Sequence, residues 1–117
     1  MTIERLTEAI RVVKGVKPKY FDLNFWSNRC GTVGCVLGHC AVDPWFVARG
    51  LSANALHGCP NFRDFIGFGA ATQFFGLHSN QAHQLFSPAH HPHTTGAKGK
   101  RSAISAIEKF IRELEAA

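Results

Sequence analysis

The chain has 117 residues, of which 45% are hydrophobic and 18% charged, and its formal net charge is +5. This length predicts one domain, over residues 1–117, that is large enough to bury a core, and the composition excludes a disordered chain. The N-terminus lacks the apolar segment of a signal peptide, and no stretch reaches the ~18 apolar residues that a membrane helix needs. We therefore expect a cytoplasmic protein with reduced thiols and no membrane partner.

The first predicted element is a helix with Thr2 as its N-cap and Gly15 as its C-terminal stop. Its apolar stripe consists of Ile3, Leu6, Ile10 and Val13, which recur at helical spacing. A break at Lys17–Lys19 follows, because Pro18 interrupts the chain. The aromatic segment Tyr20–Trp26 is interpreted either as an extended segment or as an irregular aromatic anchor.

The most informative segment is Cys30–Cys40, which holds three of the four cysteines, one histidine and three glycines without a formal charge. After a turn at Ser27–Arg29, Thr32 is predicted to cap a helix over Val33–Ala41. Each glycine in a helix costs about 1 kcal/mol relative to alanine. We therefore expect neighbouring elements to approach the backbone closely, so that this helix is buried and central. Replacing Gly38 by leucine should overpack the core and destabilise the fold by about 1–3 kcal/mol or more.

Two further helices are predicted in the middle of the chain. Asp43–Pro44 provides an N-cap followed by proline at the first helical position, and Gly50 ends this helix. The stretch Leu51–Pro60 is interpreted as irregular, and no hairpin signal is evident. Phe65–Phe75 is predicted to be helical, with Gly76 just beyond its C-terminus.

The C-terminal third is predicted to hold two helices separated by a polar loop. A short helix capped by Ser79 or Asn80 runs to Phe86, and the loop Ser87–Lys100 follows. The final helix, Ser102–Leu114, carries an apolar stripe of Ile104, Ile107, Ile111 and Leu114. The fold class predicted from these elements is all-α, a single compact domain of five or six short helices around the glycine-rich buried helix.

The thiols and histidines allow a zinc site as one alternative. Cys35 and His39 would lie one turn apart on the same helix face, with Cys30 before the helix and His57 and Cys59 downstream. Thiolate and imidazole are the ligands that zinc prefers. The chain contains no C-x-x-C spacing, however, and buried free cysteines usually behave as small hydrophobic residues. We therefore predict no cofactor, with zinc bound by Cys30, Cys35, His39 and Cys59 as the alternative.

A thiol-dependent enzyme is a second alternative, with Cys30 as its catalytic residue. A position just before a helix N-terminus lowers a thiol pKa, and a nearby histidine would complete a Cys–His pair. No acidic residue stands out that would orient such a histidine. In the structural alternative, Cys30 packs against Trp26 and anchors the turn. The sequence therefore favours a non-catalytic protein. The histidines of His90–His93 are interpreted as part of a mobile, solvated loop, with weak metal binding as the alternative.

Nucleic-acid binding is a third alternative, because Ala71–Phe86 has the outline of a helix-turn-helix. The candidate base-reading residues are Asn80, Gln81 and Gln84, and the candidate phosphate contacts are Lys98, Lys100 and Arg101. The second helix of this segment carries no basic residue. Nucleic acid is therefore not the favoured partner, and core packing is the preferred role of the segment.

Two blocks of the sequence resemble small uncharacterised bacterial and bacteriophage proteins. The first block is Trp26 followed by Cys30–His39, and the second is Ala71–Leu77 with Ala82 and Leu85–Phe86. The resemblance implies a compact helical domain in a phage or mobile-element setting, and it carries no established activity. Our leading hypothesis is a small cytosolic, non-catalytic domain that binds a protein partner, as an accessory protein acting on a host protein.

Overall fold

The structure is a computed structural model that describes residues 2–26, 33–53 and 59–117. Within these ranges the chain forms six α-helices, three short strands and two 3₁₀ turns. The helices are α1 (Thr2–Gly15), α2 (Val36–Cys40), α3 (Pro44–Val47), α4 (Gly67–Phe75), α5 (Ser79–Phe86) and α6 (Gly96–Ala116); the strands are β1 (Leu51–Ala53), β2 (Pro60–Phe62) and β3 (Phe65–Ile66); the 3₁₀ turns are Pro18–Tyr20 and Pro88–His90. The prediction of a mostly helical domain with five or six helices is confirmed. None of the described helices is both long and apolar enough to cross a membrane.

The prediction of a strictly all-α domain is wrong, because β1, β2 and β3 form an antiparallel sheet in that order. β2 and β3 are joined by a tight turn in which Arg63 has a φ of 55°. Such turns usually carry Asn-Gly or Asp-Gly, and this turn carries Arg63 and Asp64 instead, so it gave no hairpin signal. The interpretation of Leu51–Pro60 as irregular is therefore wrong at both of its ends, while residues 54–58 lie outside the described residues.

The core is built on phenylalanine rings that join the helices to the sheet. The Phe74 ring lies 5.5 Å from Phe46 and 5.2 Å from Phe62, between centroids. Phe75 extends the cluster to Phe86 of α5, 5.4 Å away. The helices α1 and α6 pack against each other alongside this cluster. Of the predicted apolar stripes, Leu6, Ile10, Val13 and Ile107 are buried, and Ile3, Ile104, Ile111 and Leu114 are half-buried.

The glycine-rich helix is buried as predicted, but it begins at Val36 rather than Val33. Gly34 is held in an extended pairing with Phe21, and this pairing delays the start of the helix. Cys35 then serves as the N-cap, because its Sγ accepts a hydrogen bond from the Gly38 N–H at 3.4 Å. A side chain on Gly38 would lie 1.5 Å from the carbonyl oxygen of Trp26, which is the close backbone approach that the glycines indicated. The predicted cap Thr32 and the turn at residues 27–29 lie outside the described residues.

The C-terminal helix begins at Gly96, six residues before the predicted start at Ser102. Gly99 is buried, and a side chain there would meet the backbone of Thr94 at 2.6 Å, so this glycine serves close packing within a helix. Residues assigned to the end of a loop, including Lys98, therefore lie on the first two turns of α6. This correction decides which side chains line the groove described below.

Several other boundaries agree with the sequence or shift by one or two residues. Asp43 caps α3 with Pro44 at its first position, and Gly76 ends α4 with a φ of 70°. α4 begins at Gly67 because Phe65 and Ile66 pair with β2. The N-cap of α5 is His78, whose backbone N–H donates to the side-chain oxygen of Gln81, rather than Ser79 or Asn80.

Candidate functional site

The Cys30–Cys40 motif is, where the structure describes it, a packing element. Cys35 and Cys40 are fully buried, at 1% and 0% exposure. Burial raises the pKa of the Cys35 thiol to about 11 and raises the pKa of Cys40 well above its ordinary value. Both thiols are therefore protonated at physiological pH in the metal-free protein, whereas a thiol nucleophile acts as the thiolate. Cys30, the alternative catalytic residue, lies outside the described residues.

The other alternative zinc ligands have separate structural roles. The Nε2 of His39 lies 2.8 Å from the backbone oxygen of Tyr20, so it is placed to donate to that carbonyl. Cys59 is half-buried next to Gly67, and burial raises its thiol pKa. Across residues 2–26, 33–53 and 59–117, no three His, Cys, Asp or Glu side chains are grouped to hold a metal ion. Cys30 and His57 fall outside those ranges.

An apolar surface lies where the segment before α2 meets the turn from β3 into α4. We call it the aromatic patch, and its members are Phe25, Trp26, Phe65, Ile66 and Phe68. Phe25 is 54% exposed and Ile66 is 66% exposed, which is unusual for side chains of this size. The Trp26 ring links the two segments. It packs edge-on against Phe68 at 5.0 Å, and a side chain at Gly67 would meet its indole at 3.5 Å.

Three members of the aromatic patch border a small apolar cavity of about 200 Å³. Phe25, Trp26 and Phe68 form its rim, and Leu23 and Phe86 lie at the core side of its wall. The sequence indicated the first half of this surface, because Tyr20–Trp26 was interpreted as a possible aromatic anchor. It missed the second half, since Phe65 and Ile66 were assigned to a helix and not to an exposed edge strand.

A second concave surface runs along α6, and we call it the basic groove. A cavity of about 630 Å³ lies between α6 and the loop that follows α5. A neighbouring cavity of about 590 Å³ extends it along α5, and His90 lines both. The charged and amide side chains that line the groove are Lys98, Arg101 and Lys109 of α6 and Asn80 and Gln84 of α5.

The groove contains only part of the nucleic-acid set that the sequence suggested. Gln81 caps the start of α5 instead. The Lys100 Nζ donates to the backbone oxygens of Lys14 and Val16, so it stabilises the C-terminal end of α1. Lys109 was not predicted, although its spacing of eight residues from Arg101 places it on the same helix face.

Comparison of the chain with protein-family models, with curated proteins and with solved structures found no match. A function is therefore inferred from two surfaces of the protein, the aromatic patch and the basic groove.

Proposed function

We propose that this protein is a small cytosolic, non-catalytic domain that binds a protein partner through the aromatic patch. The observation that carries the proposal is the exposure of Phe25 at the rim of an apolar cavity, with Phe65 and Ile66 exposed in the strand that leads into Phe68. The phage or mobile-element setting, with a host protein as the partner, is part of the same proposal and rests on the sequence resemblance.

The geometry of the patch suits a protein partner. Protein interfaces concentrate their binding energy in aromatic residues and in pockets that accept a single large side chain from the partner. A cavity of about 200 Å³ rimmed by Phe25, Trp26 and Phe68 offers such a pocket. Phe65 and Ile66 are 42% and 66% exposed in β3, just before Phe68, and their side chains leave opposite faces of the strand. The complementary partner surface is one apolar anchor within an uncharged contact area.

The expected contribution of the patch is large enough to measure. Burying a large apolar side chain contributes about 1.5–3 kcal/mol, and Phe25 and Ile66 each have half or more of that burial still to gain. A charge at both positions removes this gain and must also be desolvated at the interface. We therefore expect Phe25→Glu with Ile66→Glu to weaken binding by at least about 100-fold, since every 1.4 kcal/mol is tenfold.

The test begins with capture of partners from the cells that encode the protein, using wild type and the double variant as bait. Val42→Glu is the matched control, because Val42 is 60% exposed but lies on the turn after α2, outside the patch. The captured protein is then purified, and its affinity for all three baits is measured by calorimetry. The expected result is stoichiometric binding by wild type and Val42→Glu and a loss with the double variant.

Two results would overturn the proposal. One is a purified partner that binds the double variant as tightly as wild type. The other is wild-type protein that dimerises in sedimentation equilibrium while the double variant stays monomeric, which would assign the patch to a second copy of the chain. Thermal melting checks the fold, and we expect changes within about 0.5 kcal/mol because the substituted side chains are exposed.

A further inference from the structure

The basic groove has a well-defined wall, because the loop that forms this wall is hydrogen-bonded to both neighbouring helices. The His91 ring lies between α5 and α6. Its Nε2 lies 2.8 Å from the backbone oxygen of Leu85, and its Nδ1 lies 2.8 Å from the Ser102 Oγ. His91 is therefore half-buried and hydrogen-bonded rather than solvated, whereas His90 and His93 are exposed as the interpretation of a solvated loop requires. The wall keeps its position relative to the basic face of α6.

The groove has one sign of charge. Lys98, Arg101 and Lys109 line it from α6, and no carboxylate is among the described residues that line either cavity. These three side chains are exposed and make no ion pair in the described part of the chain. Unneutralised cations on one concave face raise the local concentration of anions. The groove therefore suits an anionic ligand.

The length of the groove indicates a ligand with several phosphates. Lys98 and Lys109 are 11 residues apart, which corresponds to about 16 Å along the helix. One phosphate group reaches only one end of such a row. The adjoining cavity adds the amides of Asn80 and Gln84 on the α5 side, where the ring of His83 is already stacked on Phe68 at 4.1 Å. Amide groups can hydrogen-bond base edges, and imidazole rings can stack on unpaired bases.

We infer that the basic groove binds single-stranded nucleic acid, with phosphates on Lys98, Arg101 and Lys109 and bases against the histidines of the opposite wall. A single strand is favoured over a duplex because the Pro88–His93 wall stands beside α6, and a helix flanked in this way does not enter a major groove. The groove adjoins the aromatic patch through the stacked rings of His83 and Phe68 but shares no lining residue with its cavity, and the inference does not depend on the proposed protein partner.

The salt dependence gives a quantitative expectation. Three phosphate contacts on a single strand predict a slope of log K against log salt of about −2. Affinity should then fall about 20-fold between 50 and 200 mM salt, so that binding is weak at physiological salt. The measurement is fluorescence anisotropy with a labelled, unstructured 15-nucleotide strand, prepared both as RNA and as DNA.

The groove variant replaces Lys98, Arg101 and Lys109 by glutamine. We expect it to lose most of the affinity at 50 mM salt and to bring the slope close to zero. The matched control replaces Lys14, Lys17 and Lys19 by glutamine. These lysines are exposed outside the groove, and their replacement lowers the net charge of +5 by the same amount as the groove variant does. We expect the control to keep a slope of about −2. Thermal melting of both variants verifies that they fold.

A second variant separates base contacts from phosphate contacts. His90 and His93 are exposed on the wall of the groove, and replacing both by alanine removes two rings that can stack on bases. Base stacking contributes about 1–3 kcal/mol per base, so we expect affinity to fall about fivefold or more with the slope unchanged.

RNA and DNA strands carry the same phosphates, and the comparison of the two strands identifies which of them is bound. Several results would overturn it: no binding of either strand by wild type at 50 mM salt, equal losses in the groove variant and the control, or tighter binding of the matching duplex. Tighter binding of a phosphoserine peptide than of the strand would also refute it and would assign the groove to a phosphorylated protein.

Discussion

A methyl group at Gly38 tests the centre of the fold directly. In the Gly38→Ala variant, the new Cβ would lie 1.5 Å from the Trp26 carbonyl oxygen and 2.7 Å from its carbonyl carbon. Ordinary contact begins near 3.4 Å, so the two backbones must separate by about 2 Å. Both partners of the clash are backbone atoms, and no rotation of a flexible side chain can relieve it.

The separation disturbs the hydrogen bonds that hold the Phe25–Trp26 segment against α2. The Cys35 N–H donates to the Phe25 oxygen at 2.9 Å, and His39 is bonded to the oxygen of Tyr20. Overpacking costs about 1–3 kcal/mol or more, and each lost hydrogen bond costs about 1 kcal/mol. The better helix propensity of alanine returns only about 1 kcal/mol. We therefore expect a net loss of about 3 kcal/mol, a large part of the 5–15 kcal/mol that stabilises a typical domain.

Urea denaturation followed by tryptophan fluorescence measures this loss, since Trp26 lies at the perturbed contact. With a typical dependence on urea of about 1–3 kcal/mol per molar, the midpoint should fall by about 1 M or more. Gly15→Ala is the matched control, because a side chain at Gly15 meets nothing within 4 Å. We expect the control to be neutral or up to about 1 kcal/mol more stable. A Gly38→Ala variant within 1 kcal/mol of wild type would refute the close approach of the two backbones.

Three further predictions follow from the buried thiols, the α3 cap and the groove wall. Burial raises the pKa of Cys35 from 9.0 to about 11, so the contribution of this thiol to stability is fully present below pH 9 and is lost at about 1.4 kcal/mol per pH unit as the pH rises toward 11. Cys40, whose pKa is also raised, adds to the slope, so Cys35→Ser should reduce the slope in urea titrations without abolishing it, and an unchanged slope would contradict the burial of the Cys35 thiol. Asp43 caps α3 and pairs with Arg11 at 2.9 Å. Asp43→Ala should therefore lower the free energy of unfolding by about 1–2 kcal/mol in thermal melts, and Asp43→Asn, which keeps the cap, should lower it by less than about 1 kcal/mol. Equal losses in the two variants would argue against the cap. His91→Ala should cost about 1–2 kcal/mol because it removes the bonds that fix the wall, whereas an unchanged melting temperature would show that the loop is not anchored.

The sequence by itself determined the features that depend on neighbouring residues along the chain. The helical spacing from Ile3 to Val13 gave α1, and Asp43–Pro44 gave the start of α3. Gly76 marked the end of α4, because its left-handed conformation suits a residue without a Cβ. Even the close approach at Gly38 was predictable, since a glycine in an apolar helix lowers stability unless a neighbour uses the space.

The tertiary structure alone decided the features that depend on contacts between distant segments. The pairing of Gly34 with Phe21 delayed α2, and the close packing of Gly99 against Thr94 allowed α6 to begin among glycines. The hairpin formed around Arg63 without a turn signal because strand pairing and the burial of Phe62 outweighed the unfavourable local conformation.

Both candidate surfaces belong to this second group. Phe25 and Phe68 lie 43 positions apart in the sequence and line one cavity only because Trp26 packs between α2 and the start of α4. The six additional residues at the start of α6 place Lys98, Lys100 and Arg101 on the helix and so fix the direction of each side chain about the helix axis. As a result, Lys98 and Arg101 face the histidine wall, whereas Lys100 faces α1. Sequence patterns are short-range, and the positions that bring a site together are set by packing across the whole chain.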